Sequence, residues 1–192
     1  MSVTETPDDT GIATLTVTQK LKSFIQKCLM VKTKTILIAG IGNDYRSDDG
    51  VGRVIARKIR EWQDPRIDIR LFDRSGIELI SEWKAFEQVY VIDAVMADVQ
   101  PGHVFRFTVP PEELPPTLFC TSTHAFNLAD VIRLAGTLNY LPRELVIYGI
   151  AIQNVEHGAG LTPPVQDGAQ TVLQRISGEL KISVLQEEKH HA

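Results

Sequence analysis

The sequence predicts a three-layer α/β/α sandwich on a mostly parallel, twisted sheet of about five strands. Three observations predict it. Short apolar runs alternate with segments of helical period along most of the chain, the pattern of a parallel sheet covered on both faces. The run Thr35–Ala39 passes through Gly40 and Gly42 to two adjacent acids, Asp48 and Asp49, and then to a helix opened by Gly50 and Gly52. A second run, Val89–Ile92, is wholly apolar and stops at Asp93. Each acid therefore stands at the C-terminal end of a strand, where open α/β sheets bind ligands.

The elements follow in order. Residues 1–15 are polar and unpatterned. Residues 17–29 carry Val17, Leu21, Phe24, Ile25, Cys28 and Leu29 at helical spacing, with Lys20, Lys22 and Lys27 on the remaining surface. Such a basic amphipathic helix either packs on its own domain or binds a membrane surface or a partner. The pattern divides the chain into an N-terminal extension (1–30), one α/β domain (31–186) and a charged tail (187–192). Strand one spans about 35–40. Helix one spans about 50–62, with Val51, Ile55, Ile59 and Trp62 on one face. Strand two is Ile67–Asp73, and helix two covers about 77–87 with Ile80 and Trp83 inward. Strand three is Val89–Asp93, and strand four is His103–Val109, followed by a proline-rich loop. Helix three begins near His124 and reaches about Leu138. Strand five is Leu145–Ile152, and the last helix runs from about Val165 to Leu180.

Composition narrows the function. At 192 residues, with 43% hydrophobic and 23% charged residues, the chain is long enough for one well-buried core. A net charge of −4 gives no support to nucleic-acid binding. No apolar run approaches the roughly 18 residues that span a bilayer, and the Thr- and Asp-rich start lacks a signal-peptide core, so a cytoplasmic protein is expected. Cys28 and Cys120 form no CxxC pair and do not suggest a disulfide scaffold.

Asp49, Asp93 and His124 fall at equivalent places in this scheme, and in a doubly wound sheet all three project to one edge. Two carboxylates and an imidazole suit a divalent transition metal. Taken singly, each has a structural reading. Asp48 and Asp49 are acids at a helix start, favoured by the dipole. Asp93 and His124 stand where strand ends and helix caps are often polar. Only their joint placement favours chemistry. Gly40-Ile41-Gly42-Asn43-Asp44-Tyr45 does not complete a dinucleotide fingerprint, because Tyr45 holds the third glycine position. There is no GxSxG elbow. His103 starts a strand, His157 lies in a loop that can approach the same edge, and His190 and His191 are in the tail.

At Gly40-Ile41-Gly42-Asn43 through Asp48-Asp49-Gly50-Val51-Gly52 the sequence resembles the nickel–iron hydrogenase maturation proteases. The resemblance continues at Val91-Ile92-Asp93-Ala94 and at Ser122-Thr123-His124 with Leu128. It ends with Gly149-Ile150 and Gly160-Leu161-Thr162-Pro163-Pro164-Val165, so the blocks keep the family's order across about residues 35–180. It implies a twisted five-stranded sheet with helices on both faces. It also implies an endopeptidase that removes the C-terminal extension of the hydrogenase large-subunit precursor once nickel is inserted. The family's metal-binding residues map onto Asp49, Asp93 and His124, and the nickel they engage is carried by the substrate. Asp49 and Asp93 are also the candidates for a catalytic carboxylate.

Two departures stand out. Some members have Glu where this chain has Asp49, which leaves open a share for Asp48. The turn after strand two, Asp73-Arg74-Ser75-Gly76, replaces an Asp-Gly-Gly-Thr type turn that borders the substrate cleft, so Arg74 is placed to alter substrate choice. The helix at 17–29 is outside the family pattern and is expected to modify docking to the large subunit. Two rival functions use the same scaffold. One is a nucleotide-dependent enzyme, disfavoured by the incomplete glycine fingerprint. The other is a non-catalytic nickel chaperone that checks the large subunit without cutting it.

Overall fold

The computed structural model describes residues 35–74, 76–110, 127–158 and 160–182. The expected helix at 17–29, His124 and the tail lie outside the described residues. Those described belong to one compact unit, Lys34–Ala192.

Strands β1 (Ile36–Ile41), β2 (Ile67–Phe72), β3 (Gln88–Met96), β4 (Val104–Val109) and β5 (Glu144–Ile152) form one sheet in the order β2-β1-β3-β5-β4. All neighbours are parallel except β4, which runs antiparallel along β5. Helices α1 (Val51–Arg60), α2 (Glu78–Trp83), α3 (Leu128–Thr137) and α4 (Pro163–Glu179) cover the two faces. The order puts β2 and β3 on opposite sides of β1. Their diverging connections open a crevice at the C-terminal ends of β1 and β3, the switch point of this topology.

Strand periodicity sorts the core into two layers. Tyr90, Ile92 and Ala94 face α1 and α4, where Val51, Ile55, Ile59, Val165, Val172 and Ile176 are buried. Val89, Val91 and Val95 face α2 and α3, against Leu79, Trp83, Leu128, Val131 and Ala135. Burial of such side chains is worth about 1.5–3 kcal/mol each, and every residue of β1 is buried. The three-layer sandwich with a mostly parallel five-stranded sheet is therefore present as expected.

Three boundaries differ most from the sequence reading. Helix α2 ends at Trp83 rather than near 87, where the Phe86 N–H turns back to the Trp83 carbonyl at 3.0 Å. β3 does not stop at Asp93 but runs to Met96. Its pairing with β1 ends at Gly40–Ile92, yet its pairing with β5 continues from Asp93–Gly149 to Met96–Ile152. The acid marks where β3 loses one neighbour, not where it ends. Helix α3 starts at Leu128 rather than near His124, because Asn127 is extended and its side chain accepts the N–H of Asp130 at 2.9 Å, an N-cap.

At the opposite edge, the last turn of α4 is tied to the sheet. The Tyr148 hydroxyl donates to Glu179 at 2.6 Å and Arg106 Nε donates to the same oxygen at 2.9 Å. Burial pushes the Glu179 carboxyl up, but the guanidinium and hydroxyl outweigh it and hold the group below its ordinary value.

Candidate active site

The site is assembled where α1 begins. Gly52 lies so close to the sheet that a Cβ there would stand 2.2 Å from the carbonyl oxygen of Ile92 and 2.4 Å from that of Ile41. Only glycine lets the first turn of α1 rest directly on the ends of β1 and β3. The loop that leads into that turn is drawn equally close. Gly42 has φ +137°, and a Cβ there would meet the carbonyl oxygen of Asp49 at 1.8 Å. These two glycines place the 3-10 turn Ser47–Gly50, and with it Asp49, beside Asp93.

Asp49 is partly buried, and its Oδ2 accepts the backbone N–H of Asn43 at 3.2 Å. Asp93 shares the sheet face of Val91 and Val95, the face that α3 covers. Its Oδ1 accepts the N–H of Ala94 at 2.9 Å, and its cross-strand partner Gly149 has no side chain to meet the carboxylate. Burial pushes the Asp93 carboxyl up to about 7, the Asp49 charge adds to the rise, and the Ala94 N–H only partly offsets it. The two acids therefore share one electrostatic environment: a charge on one disfavours a charge on the other.

The structure separates the adjacent acids. Asp48 is 1% exposed. Its Oδ1 accepts the N–H of Thr162 at 2.7 Å, and its Oδ2 accepts the Thr162 hydroxyl at 2.9 Å. Thr162 is the N-cap residue of α4. Asp48 is thus a structural bolt between the β1 loop and the start of α4, and its two oxygens are engaged there. This is the acid for which the sequence left open a share in the site.

The third expected ligand, His124, lies outside the described residues. Among the described residues no group of three His, Cys, Asp or Glu could hold a metal ion. The loop of His157 does reach this edge: Ser47 N–H donates to the Gly158 carbonyl at 3.0 Å, and Gly158 N–H to that of Tyr45 at 3.1 Å. His157 itself is exposed. His103 packs edge-on against Phe105, ring centroids 4.7 Å apart, at the start of β4, two strands away from β3.

A charged network that the sequence reading did not single out borders the site. Arg53 and Arg57 stand one turn apart on α1. Asp44, in the loop after β1, takes both nitrogens of the Arg57 fork, one at 2.8 Å. The Arg57 hydrogen bond holds the Asp44 carboxyl below its ordinary range, against the effect of burial. Arg53 Nε lies 3.0 Å from the same carboxylate, an ion pair without the alignment of a hydrogen bond. Arg53 Nη1 pairs with Asp73, at the turn after β2. The i,i+4 spacing of the two arginines was the available signal.

This fold is that of known peptide-cutting proteins. A solved endopeptidase from Escherichia coli superposes with a TM-score of 0.65 at 26% identity, over 76% of this chain and 91% of that one. The sequence model of the hydrogenase maturation proteases matches residues 56–179. The chain is also 25% identical over 153 residues to the hydrogenase 2 maturation protease of Escherichia coli K12, covering 77% of this chain and 92% of that protein. To the hydrogenase expression/formation protein HoxM of Azotobacter vinelandii it is 30% identical over 144 residues, covering 72% and 69%. The chain belongs to the hydrogenase maturation protease family, and it is an endopeptidase.

Proposed function

We propose that this endopeptidase removes the C-terminal extension of a nickel–iron hydrogenase large-subunit precursor after nickel insertion, in the cytoplasm. In this reading the substrate-bound nickel is recognised by Asp49, Asp93 and His124. One observation carries it: Asp49 and Asp93 stand near enough at the ends of β1 and β3 for the Asp49 charge to add to the rise that burial gives the Asp93 carboxyl. Two carboxylates that repel each other are relieved by a cation placed between them. A nickel ion arriving on the precursor supplies that charge, with the imidazole of His124 as a further donor. Only loaded precursor is then correctly seated, so metal insertion becomes the specificity check. The enzyme needs no tightly held metal of its own.

Hydrolysis needs a water to lose a proton as it attacks the peptide carbonyl. A carboxylate can take that proton only while it is not bound to the nickel, and Asp49 and Asp93 are the two candidates. Among the described residues, four of the six large exposed apolar side chains also support a protein substrate. Tyr45, Ile77, Met96 and Val99 sit on loops or ends at the edge that carries the acids. No helix of the described residues is long and apolar enough to cross a membrane.

The deciding experiment is the intact mass of a large-subunit precursor, nickel-loaded and nickel-free, after incubation with this protein. Loss of a C-terminal peptide from the loaded form alone is expected. Equal cutting of both forms overturns the nickel check. A stable complex with no mass change in either form favours the chaperone reading or marks the wrong partner.

A further inference from the structure

Three segments that frame the crevice converge on one side chain. Arg53 projects from the first turn of α1 and is largely buried, with 17% of its side chain exposed. Its Nη1 pairs with Asp73 at the turn after β2 and lies 3.5 Å from the carbonyl oxygen of Gly42, which it approaches as donor. Its Nε lies 3.0 Å from Asp44. Gly42 N–H in turn donates to the carbonyl of Phe72 at 3.0 Å, so the exits of β1 and β2 are already side by side. Between Gly42 and Asp44 stands Asn43, whose N–H is the donor held by Asp49. The segment is further fixed on its own account, since Asn43 Oδ1 accepts the N–H of Tyr45 at 2.9 Å and its carbonyl accepts that of Arg46 at 3.1 Å.

We propose that Arg53 is a positioning residue: it clamps residues 42–44 from both ends so that the Asn43 N–H fixes the orientation of the Asp49 carboxylate, and it holds the turn at Asp73 with the same guanidinium. The planar fork suits this use because several donors leave one rigid group toward different acceptors, which a single ammonium cannot match. Burial strengthens the tie to Asp44, as partly desolvated pairs are screened less than surface ones. The Arg57–Asp44 pair grips only the loop after β1. Arg53 alone spans from that loop to the turn after β2 among the contacts described. Asp73 itself is well exposed, at 86% of its side chain. Its pairing therefore contributes little to stability, so its role is read in the position of the turn.

The inference rests on the reading that Asp49 engages the substrate, and its test separates the two. In the full-length protein, Arg53→Gln keeps the cooperative thermal transition but raises the hydrogen-exchange rate of the Asn43 amide about tenfold, while amides inside β1 and β3 are unchanged. With nickel-loaded precursor, kcat falls about ten- to a hundredfold, the scale of a misplaced reacting group, and KM rises. Asp73→Asn frees only the turn, so KM rises about threefold or more with kcat near wild type. Arg53→Lys keeps the charge but not the fork, and recovers part of kcat. The proposal is overturned if Arg53→Gln leaves Asn43 exchange and kcat at wild-type values. It is equally overturned if protection is lost throughout the sheet, which marks a merely structural residue, or if Asp73→Asn lowers kcat as much as Arg53→Gln. If wild-type protein cuts no precursor, the functional reading fails, while the Asn43 exchange in Arg53→Gln still decides whether the clamp exists.

Discussion

Asp93 titrates where ordinary carboxylates do not, and the sign of that shift has two consequences. Its folded-state pKa of about 7 lies above the ordinary 3.8. The native state therefore binds a proton more tightly than the unfolded chain, and this group's contribution to stability is lost as pH rises from about 4 through 7. By linkage the full difference is about 4 kcal/mol at most. Asp93→Asn should accordingly be more stable than wild type at pH 8, by about 1–3 kcal/mol in urea unfolding, with the advantage gone at pH 4. A variant less stable at pH 8 would contradict the upward shift of the Asp93 carboxyl. Activity runs the other way: a metal donor or a base must be deprotonated, so processing should rise through about pH 7 and be absent in the variant. The neighbouring acids separate just as sharply. Asp48→Ala removes both partners of Thr162 from a buried position and should cost about 2–4 kcal/mol. Asp49→Ala should abolish processing while changing unfolding free energy by less than about 1 kcal/mol. Parallel denaturation and intact-mass assays on the two variants check this.

At the scale of elements, the contact of α1 with the sheet is what turns two distant acids into one site. Gly52→Ala places a methyl against the carbonyl oxygens of Ile92 and Ile41, neither of which can yield without moving a central strand. Helix α1 must lift instead, at a cost of about 2–4 kcal/mol in chemical denaturation. Asp49 is then carried away from Asp93, so processing should fall even at temperatures where the variant stays folded. Much of this element framework was legible beforehand. The five strands, the four helices that cover them and the burial of Val51, Ile55, Ile59 and Trp83 follow from periodicity alone. What misled was local reading of a non-local fact. Asp93 looks like a strand end because a charge closes an apolar run, yet β5 goes on pairing to Met96. Asp48 and Asp49 are indistinguishable by sequence because the contact that separates them is to Thr162, 114 positions away. The spacing of Arg53 and Arg57 marks one helix face, but the partners of Arg53 were not legible, since they come from two different loops that only the sheet order brings together.

At the scale of the molecule, the exposed apolar groups among the described residues are polarised. Tyr45 follows β1, Ile77 follows β2, Met96 ends β3 and Val99 follows it, so they top three adjacent strands at the edge of the two acids. Adjacent strands are about 4.8 Å apart, which makes the row narrow enough for one segment of a protein substrate to lie across it. Leu138 and Tyr140, the remaining exposed large apolar residues among those described, follow α3 toward the start of β5 and lie at the opposite edge. Exposed side chains that support no core are free to serve binding, and a charge placed on a docking surface opposes burial without unfolding the protein. Tyr45→Asp, where the ring is 80% exposed, and Ile77→Asp, at 60%, should therefore each raise KM for the nickel-loaded precursor about tenfold or more, with unchanged melting temperature. Leu138→Asp is a matched change at the other edge and should leave KM within about twofold. Steady-state processing of the loaded precursor by the three variants measures this directly. Equal effects at both edges would mean that the apolar row is ordinary surface, and that the substrate is held by the acids and the turn at Asp73 alone.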